Sequence, residues 1–294
     1  MDLVVRCAEL PAAGETVLAE SSMEFCGGKG ANQAVAASLS GGDVSMIGAV
    51  GNDAFADRLR VNLQQHGIDC QRVLQREDFP SGLAVISVDQ HGQNSIMVVS
   101  GANGTMTPET VQSAASTIQR ADALLVQLEI PVDAVLAGIQ IAKQAGVRVL
   151  LDPAPAMQQI PNELLAVDLL CPNESEAAML TGQAVQSVDD AISAANTLHQ
   201  RGAANVAITL AERGTLLLSN GESHLIPAFP IQPVDSTAAG DAFAGSLAVR
   251  WLQSGNLQSA VGFANAAGAL TASKQGAQVS IPTQNKIHTL WRSQ

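Results

Sequence analysis

From about residue 101 onward the chain alternates short apolar runs with amphipathic helical patterns. This alternation restricts the possible folds more than any single motif does. Thr107-Pro108-Glu109 reads as a helix start, with Thr107 as N-cap and proline at the first helical position. Residues 123–128 read as a buried strand. Pro131 opens a helix that closes at Gly146, and residues 147–151 form the next strand. Residues 169–171 are short and apolar. Ser187-Val188-Asp189-Asp190 has capping-box form, and its helix closes at Arg201-Gly202. Residues 206–210 and 216–218 follow as strands, and long Ala-rich helices run on from Gly240. Strands that alternate with helices imply an α/β fold whose mostly parallel sheet is covered on both faces.

Two stretches depart from this pattern. Residues 3–23 and 82–100 lack helical spacing and carry strand-like runs at 82–88 and 95–100, separated by a hairpin-like turn at 89–94. The expected organisation is an α/β core of residues 24–81 and 101–294, with a small β-sheet made from residues 1–23 and 82–100. Such a sheet is equally a lid over a site, or an ordinary β-appendage or dimer surface.

At 294 residues, 47% hydrophobic and 14% charged, the chain can bury a full core. A net charge of −12 argues against a general nucleic-acid binder, and 3% aromatic content without any tyrosine argues against a base-stacking surface. Cys7, Cys26, Cys70 and Cys171 show no close pairing and read as thiols of a reducing compartment. The five histidines are scattered, with no Cys/His cluster at zinc spacing. No apolar run approaches the ~18 residues that span a membrane, and no signal-peptide pattern opens the chain. The expectation is a cytoplasmic enzyme.

Four motifs carry chemistry. Cys26-Gly27-Gly28-Lys29-Gly30-Ala31-Asn32-Gln33 is glycine-dense and leads into a helix, so backbone can approach a ligand while Lys29 and Asn32 offer polar groups to sugar hydroxyls. Its spacing is not that of a Walker A loop, and by itself it is equally a tight turn. Asn173-Glu174-Ser175-Glu176 opens a helix with Asn173 and Glu176 on one side; the pair can organise Mg²⁺ and its waters or simply cap the helix. Thr209-Leu210-Ala211-Glu212-Arg213-Gly214 lies between two strands, a common ligand position and also an ordinary connection. In residues 235–245, Ala238, Ala239 and Gly240 lead into Asp241 at a helix start, where N–H groups and the macrodipole favour anions and a carboxylate can accept a hydroxyl proton.

Together these residues resemble the ribokinase family of PfkB-type carbohydrate kinases, over nearly the whole chain. Gly27-Gly28-Lys29-Gly30-Ala31-Asn32-Gln33-Ala34 is similar to that family's N-terminal signature, and residues 235–245 to its C-terminal signature. The resemblance implies a ribokinase-like three-layer α/β sandwich, a β-lid that doubles as a homodimer interface, and transfer of the ATP γ-phosphoryl group to O5 of D-ribose. Kinases of the same fold acting on deoxyribose, fructose or a nucleoside, and a sugar-binding homologue with impaired catalysis, are the alternatives. By resemblance Asp241 is the catalytic base, with Ala238, Ala239 and Gly240 as the anion hole. Asp2, Gly28, Lys29, Asn32 and Glu129 hold the sugar. Asn173, Thr209, Glu212, Gly214, Gly240 and Asn265 bind ATP, and Glu176 meets Mg²⁺ through water. Asp235, Thr237, Thr271, Lys274, Gly276 and Ser280 surround a monovalent cation, K⁺, largely through backbone carbonyls.

The chain departs from the family pattern at two places. Ala211 stands where the nucleotide loop usually has glycine, and the added methyl is either tolerated or shifts ATP affinity. Met1-Asp2-Leu3-Val4-Val5 begins where the sugar-binding aspartate falls, so the first core strand and its sugar-contacting Asn are expected upstream of Met1.

Overall fold

A computed structural model describes residues 1–91 and 93–293. The strands in chain order are β1 (Asp2–Cys7), β2 (Ala19–Phe25), β3 (Ser45–Val50), β4 (Asp69–Gln75), β5 (Leu83–Val88), β6 (Asn94–Val99), β7 (Ala123–Val126), β8 (Arg148–Leu151), β9 (Leu169–Leu170), β10 (Val206–Thr209), β11 (Thr215–Ser219) and β12 (Glu222–Ile226). The helices are α1 (Lys29–Leu39), α2 (Ala54–Gln65), α3 (Pro108–Ser113), α4 (Ala115–Gln119), α5 (Val132–Gln144), α6 (Asn162–Leu165), α7 (Glu174–Thr181), α8 (Val188–Gln200), α9 (Ala239–Ser254), α10 (Leu257–Ala272) and α11 (Gln284–Trp291). Thr107, Asn173 and Ser187 cap α3, α7 and α8 through their side chains, and α7 and α8 both carry complete capping boxes.

The main sheet runs β12-β11-β10-β9-β8-β7. Its β7, β8, β9 and β10 are parallel, and β11 and β12 are antiparallel. Successive strand residues point to opposite faces, and both faces are buried. Val149 and Leu151 enter one core with Ile208, Leu216 and the residues of α5, α7 and α8. Leu150 enters the other with Ala207, Leu217, Phe243, Leu247 and Val261 from α9 and α10. β3 and β4 form a separate parallel pair. Among the described residues, β3 and β7 each have hydrogen-bonded strand partners on one side only.

A second sheet, β2-β1-β5-β6, draws its strands from residues 2–25 and 83–99. β1 and β5 are parallel, and β2 and β6 join them antiparallel as the two edges. The turn between β5 and β6 contains Gly92, which lies outside the described residues. Ile96, Met97, Val98 and Val99 of β6 are all more than half exposed on both faces of this edge. Cys7, Cys70 and Cys171 are buried and Cys26 is partly so; all four are free thiols.

The contact that creates the site is the crossing of α1 and α9. Gly245 lies one turn beyond Asp241, and a Cβ there would come within 2.4 Å of Gln33 O and 2.7 Å of the Ala36 methyl. Glycine opposite alanine lets the helix backbones approach closely. The residues one turn nearer the α1 start, Asn32 and Gln33, therefore fall beside Asp241.

Candidate active site

Asp241 is buried in the first turn of α9. Asn32 Nδ2 donates to its Oδ2 at 2.9 Å, and Gln33 Nε2 donates to its Oδ1 at 3.2 Å. The same Gln33 nitrogen donates to Asp152 Oδ2 at 2.7 Å, while Gln127 Nε2 donates to Gln33 Oε1. On the other side, Gln278 Nε2 donates to Asn32 Oδ1 at 3.0 Å, and Asn62 Nδ2 donates to Gln278 Oε1. Gln33, Gln127, Asp152 and Gln278 were not among the candidates drawn from sequence.

The α9 start is a set of backbone donors. Ala238 is the N-cap residue and adopts the left-handed conformation at φ 60°. Ala239 N–H closes a turn onto Ser236 O at 3.1 Å, so it is already committed. Among the described residues the N–H groups of Ala238, Gly240 and Asp241 have no protein acceptor, and a Cβ on Gly240 would meet nothing within 4 Å. The result is an open cradle at a helix N-terminus, suited to an anion.

The sugar-side candidates also converge. Gly28 has φ 94° and precedes α1. Lys29 N–H donates to Glu129 Oε2 at 3.1 Å, and Lys29 Nζ lies 3.9 Å from Asp152 Oδ2. Gly27 packs so closely on Asp2 of β1 that a Cβ would sit 1.9 Å from the carboxylate. Burial, opposed by Lys29, pushes Asp152 up to about 7. Burial likewise raises Asp2, Glu129 and Glu176. Burial alone would lower Lys29, but Asp152, Asp241, Glu176 and Glu129 outweigh it and hold the amine charged. One lysine thus faces an excess of carboxylates, a field that favours a bound cation. Among the described residues no three His, Cys, Asp or Glu side chains converge on one metal position. A hard divalent ion here fits if water and phosphate oxygens complete its shell, the usual habit of Mg²⁺.

The nucleotide-side candidates come from adjacent strand ends. Asn173 and Thr209 bridge as neighbours, and Thr209 N–H donates to Pro172 O at 3.0 Å. Asn173 and Glu176 form the α7 capping box, in which Glu176 Oε2 accepts from Asn173 N–H at 2.8 Å. Glu212 is exposed on the turn between β10 and β11, and Gly214 packs where a Cβ would be 2.1 Å from Ile226 O. Ala211 has φ 50°, the left-handed region that explains why glycine suits this position. Asn265 Nδ2 donates to Ile226 O and Pro227 O, both at 3.1 Å, and its Oδ1 accepts from Thr215 Oγ1 at 2.6 Å, so its carboxamide ties α10 to the end of β12 and to β11.

Asp235 ties two loops together. Its Oδ1 accepts from Thr237 N–H and its Oδ2 from Gly276 N–H, both at 2.9 Å. Thr271 and Ser280 direct their hydroxyls to Ala267 O and Ala277 O, so neither hydroxyl is free to donate elsewhere, and Lys274 is exposed.

The pfkB family carbohydrate kinase model matches residues 1–284. The ribokinase of Haemophilus influenzae is 38% identical over 97% of this chain and 93% of its own length. The bifunctional ribokinase/ribose-5-phosphate isomerase A of Fructilactobacillus sanfranciscensis is 42% identical over 98% of this chain, which spans 54% of that longer protein. The structure of Arabidopsis thaliana ribokinase complexed with ribose and ATP superposes with a TM-score of 0.91 at 32% identity, covering 99% of this chain and 95% of that one.

Proposed function

The chain belongs to the pfkB family of carbohydrate kinases, and within that family we propose that it is a ribokinase, transferring the γ-phosphoryl group of ATP to O5 of D-ribose. The observation that carries the reading is Asp241, held by two carboxamides beside a helix N-terminus whose N–H groups lack protein acceptors. Ribose as substrate rests on the likeness to ribokinases.

Asp2, Gly28, Lys29, Asn32 and Glu129 orient the sugar so that its O5 hydroxyl meets Asp241, which takes the proton as O5 attacks phosphorus. The N–H groups of Ala238, Gly240 and Asp241 stabilise charge on the migrating group, the largest contribution in phosphoryl transfer. Glu176 would meet Mg²⁺ through water, and the ion would supply charge neutralisation to the nucleotide phosphates. Asn173, Thr209, Glu212, Gly214, Gly240 and Asn265 hold the nucleotide. Asp235, Thr237, Thr271, Lys274, Gly276 and Ser280 would surround K⁺, largely through backbone carbonyls, and the ion would supply positive charge near the cradle that follows at Ala238. Residues 1–23 and 82–100 act as a lid that excludes water from the transfer.

The β6 edge, with Ile96, Met97, Val98 and Val99 exposed, supports homodimer formation through the lid, because a bare apolar edge strand invites pairing. Among the described residues no helix is long and apolar enough to cross a membrane. We place the enzyme in the cytoplasm, with ATP and sugar as its small-molecule partners.

The test is ADP formation with Mg²⁺, with and without K⁺, on ribose, 2-deoxyribose and fructose, and the position of the new phosphate by NMR. Ribose is expected to give the highest kcat/KM and a 5-phosphate product. Binding of ribose without turnover, or preference for another sugar, overturns the assignment.

A further inference from the structure

Asp241 is not held by its amide partners alone. A carboxamide presents an oxygen and a nitrogen of nearly equal size, and only the nitrogen attracts a carboxylate. Reversing either amide would set oxygen against oxygen in a buried site, where an unmade hydrogen bond is costly. What prevents reversal lies one residue further out, and it differs on the two sides.

On the Oδ1 side, Gln33 Nε2 bridges two carboxylates, Asp152 Oδ2 at 2.7 Å and Asp241 Oδ1 at 3.2 Å. Asp152 takes the shorter bond and is almost wholly buried, while Gln127 fills Gln33 Oε1 with a donor. On the Oδ2 side, Asn32 Oδ1 accepts from Gln278 Nε2 at 3.0 Å, which leaves Asn32 Nδ2 for Asp241. Gln278 is itself oriented by Asn62 Nδ2, which donates to its Oε1. Gln278 stands 246 residues from Asn32 in sequence, in the segment that follows Gly276.

We propose that Asp152 and Gln278 are positioning residues of the phosphoryl transfer: each locks the orientation of one carboxamide, Gln33 and Asn32 respectively, and the two carboxamides fix the plane of the Asp241 carboxylate. Asp152 acts as a hydrogen-bond acceptor for Gln33, so its shape matters more than its charge. Gln278 acts as a donor to Asn32. The inference rests on Asp241 being the base. It goes beyond that reading by giving work to two residues that the proposed sugar and nucleotide sites do not include.

The test compares three variants by kcat, sugar KM and melting temperature. Asp152→Asn keeps an acceptor for Gln33 and is expected to retain kcat within about threefold, whereas Asp152→Ala loses it and is expected to lower kcat about 10–100-fold with sugar KM nearly unchanged, as for a small misplacement of a reacting group. Gln278→Glu keeps the size and turns the donor into an acceptor. It should reverse the Asn32 amide and lower kcat by about 10–100-fold at a normal melting temperature. Equal losses in Asp152→Asn and Asp152→Ala overturn the acceptor role, and near-normal kcat in Gln278→Glu overturns the donor role. Should Asp152→Ala not fold, Asp152→Asn and Gln278→Glu still decide: a loss in the first or full activity in the second contradicts the proposal. Wild-type turnover on ribose and the activity of Asp241→Asn are measured alongside, so a wrong sugar or a wrong base is seen apart from a wrong brace.

Discussion

The two walls around Asp241 are built from different materials. The α9 wall offers main-chain N–H groups at Ala238, Gly240 and Asp241 that have no acceptor among the described residues. The α1 wall offers Asn32 and Gln33, whose polar atoms are each matched to a partner. Helix geometry fixes the first wall, so it needs few particular side chains. The second depends on amides that rotate freely unless held, so it recruits Gln127, Asp152 and Gln278 from distant segments. A site for a transient charge is left open; a site for a permanent group is closed.

Both walls depend on the α1–α9 contact, and the largest expected effect comes from separating them. Gly245→Val would drive a side chain into Gln33 O and Ala36. Activity should be lost altogether, with a melting temperature many degrees lower, since overpacking a backbone contact has no soft neighbour to move. A stable, active Gly245→Val enzyme would break the account of how the walls are joined.

A milder change separates the walls. Gly240→Ala adds a methyl that meets no protein atom within 4 Å, so the fold is expected to be unaffected. If the cradle holds phosphate, kcat/KM for ATP should fall about tenfold, the cost of a slight misfit at a charge-stabilising donor, while sugar binding by calorimetry stays normal. Equal losses for both substrates would mean that the walls are not separable.

The closed wall has its own signature in pH. Asp152 is pushed up to about 7 in the fold, against about 3.9 for an unfolded aspartate. The folded state thus holds a proton the unfolded state has lost. The resulting stability is complete below the unfolded value and is lost as pH rises through about 7. In melting curves without nucleotide, Asp152→Asn should match wild type near the acid end and gain on it by several degrees as pH rises to neutrality. A gap that does not change with pH would remove the buried charge from the account.

The smallest effect concerns the nucleotide turn. Ala211 has φ 50°, so Ala211→Gly should stabilise the protein by about 1 kcal/mol by relieving left-handed strain. Chemical denaturation would read this, and destabilisation would show that the methyl packs usefully.

Much of this arrangement was legible in local sequence because its causes are local. Thr107, Asn173 with Glu176, and Ser187 with Asp190 cap helices by contacts within three residues. Asp241 follows small residues at a helix start, and its surroundings follow from helix geometry. The braces were not legible. Gln33 reaches Asp152 across 119 residues and Asp241 across 208, and a glutamine has no spacing rule that announces such a partner. The hydrogen bonds of Asn265 were equally illegible, because its partners Thr215, Ile226 and Pro227 meet it only through packing of α10 on β11 and β12. Ala211 stood out as a departure from a glycine pattern, and its left-handed φ supplies the physical reason.

The central claim, that Asp241 is a base held ready in a preformed site, is tested most directly by Asp241→Asn. Turnover with saturating ATP and ribose and the ribose dissociation constant are measured on the same preparation. The account predicts a fall in kcat of about 10²–10⁴, as for loss of a general base, with ribose affinity within about threefold of wild type because the sugar is oriented chiefly by other residues. Near-normal turnover would contradict it.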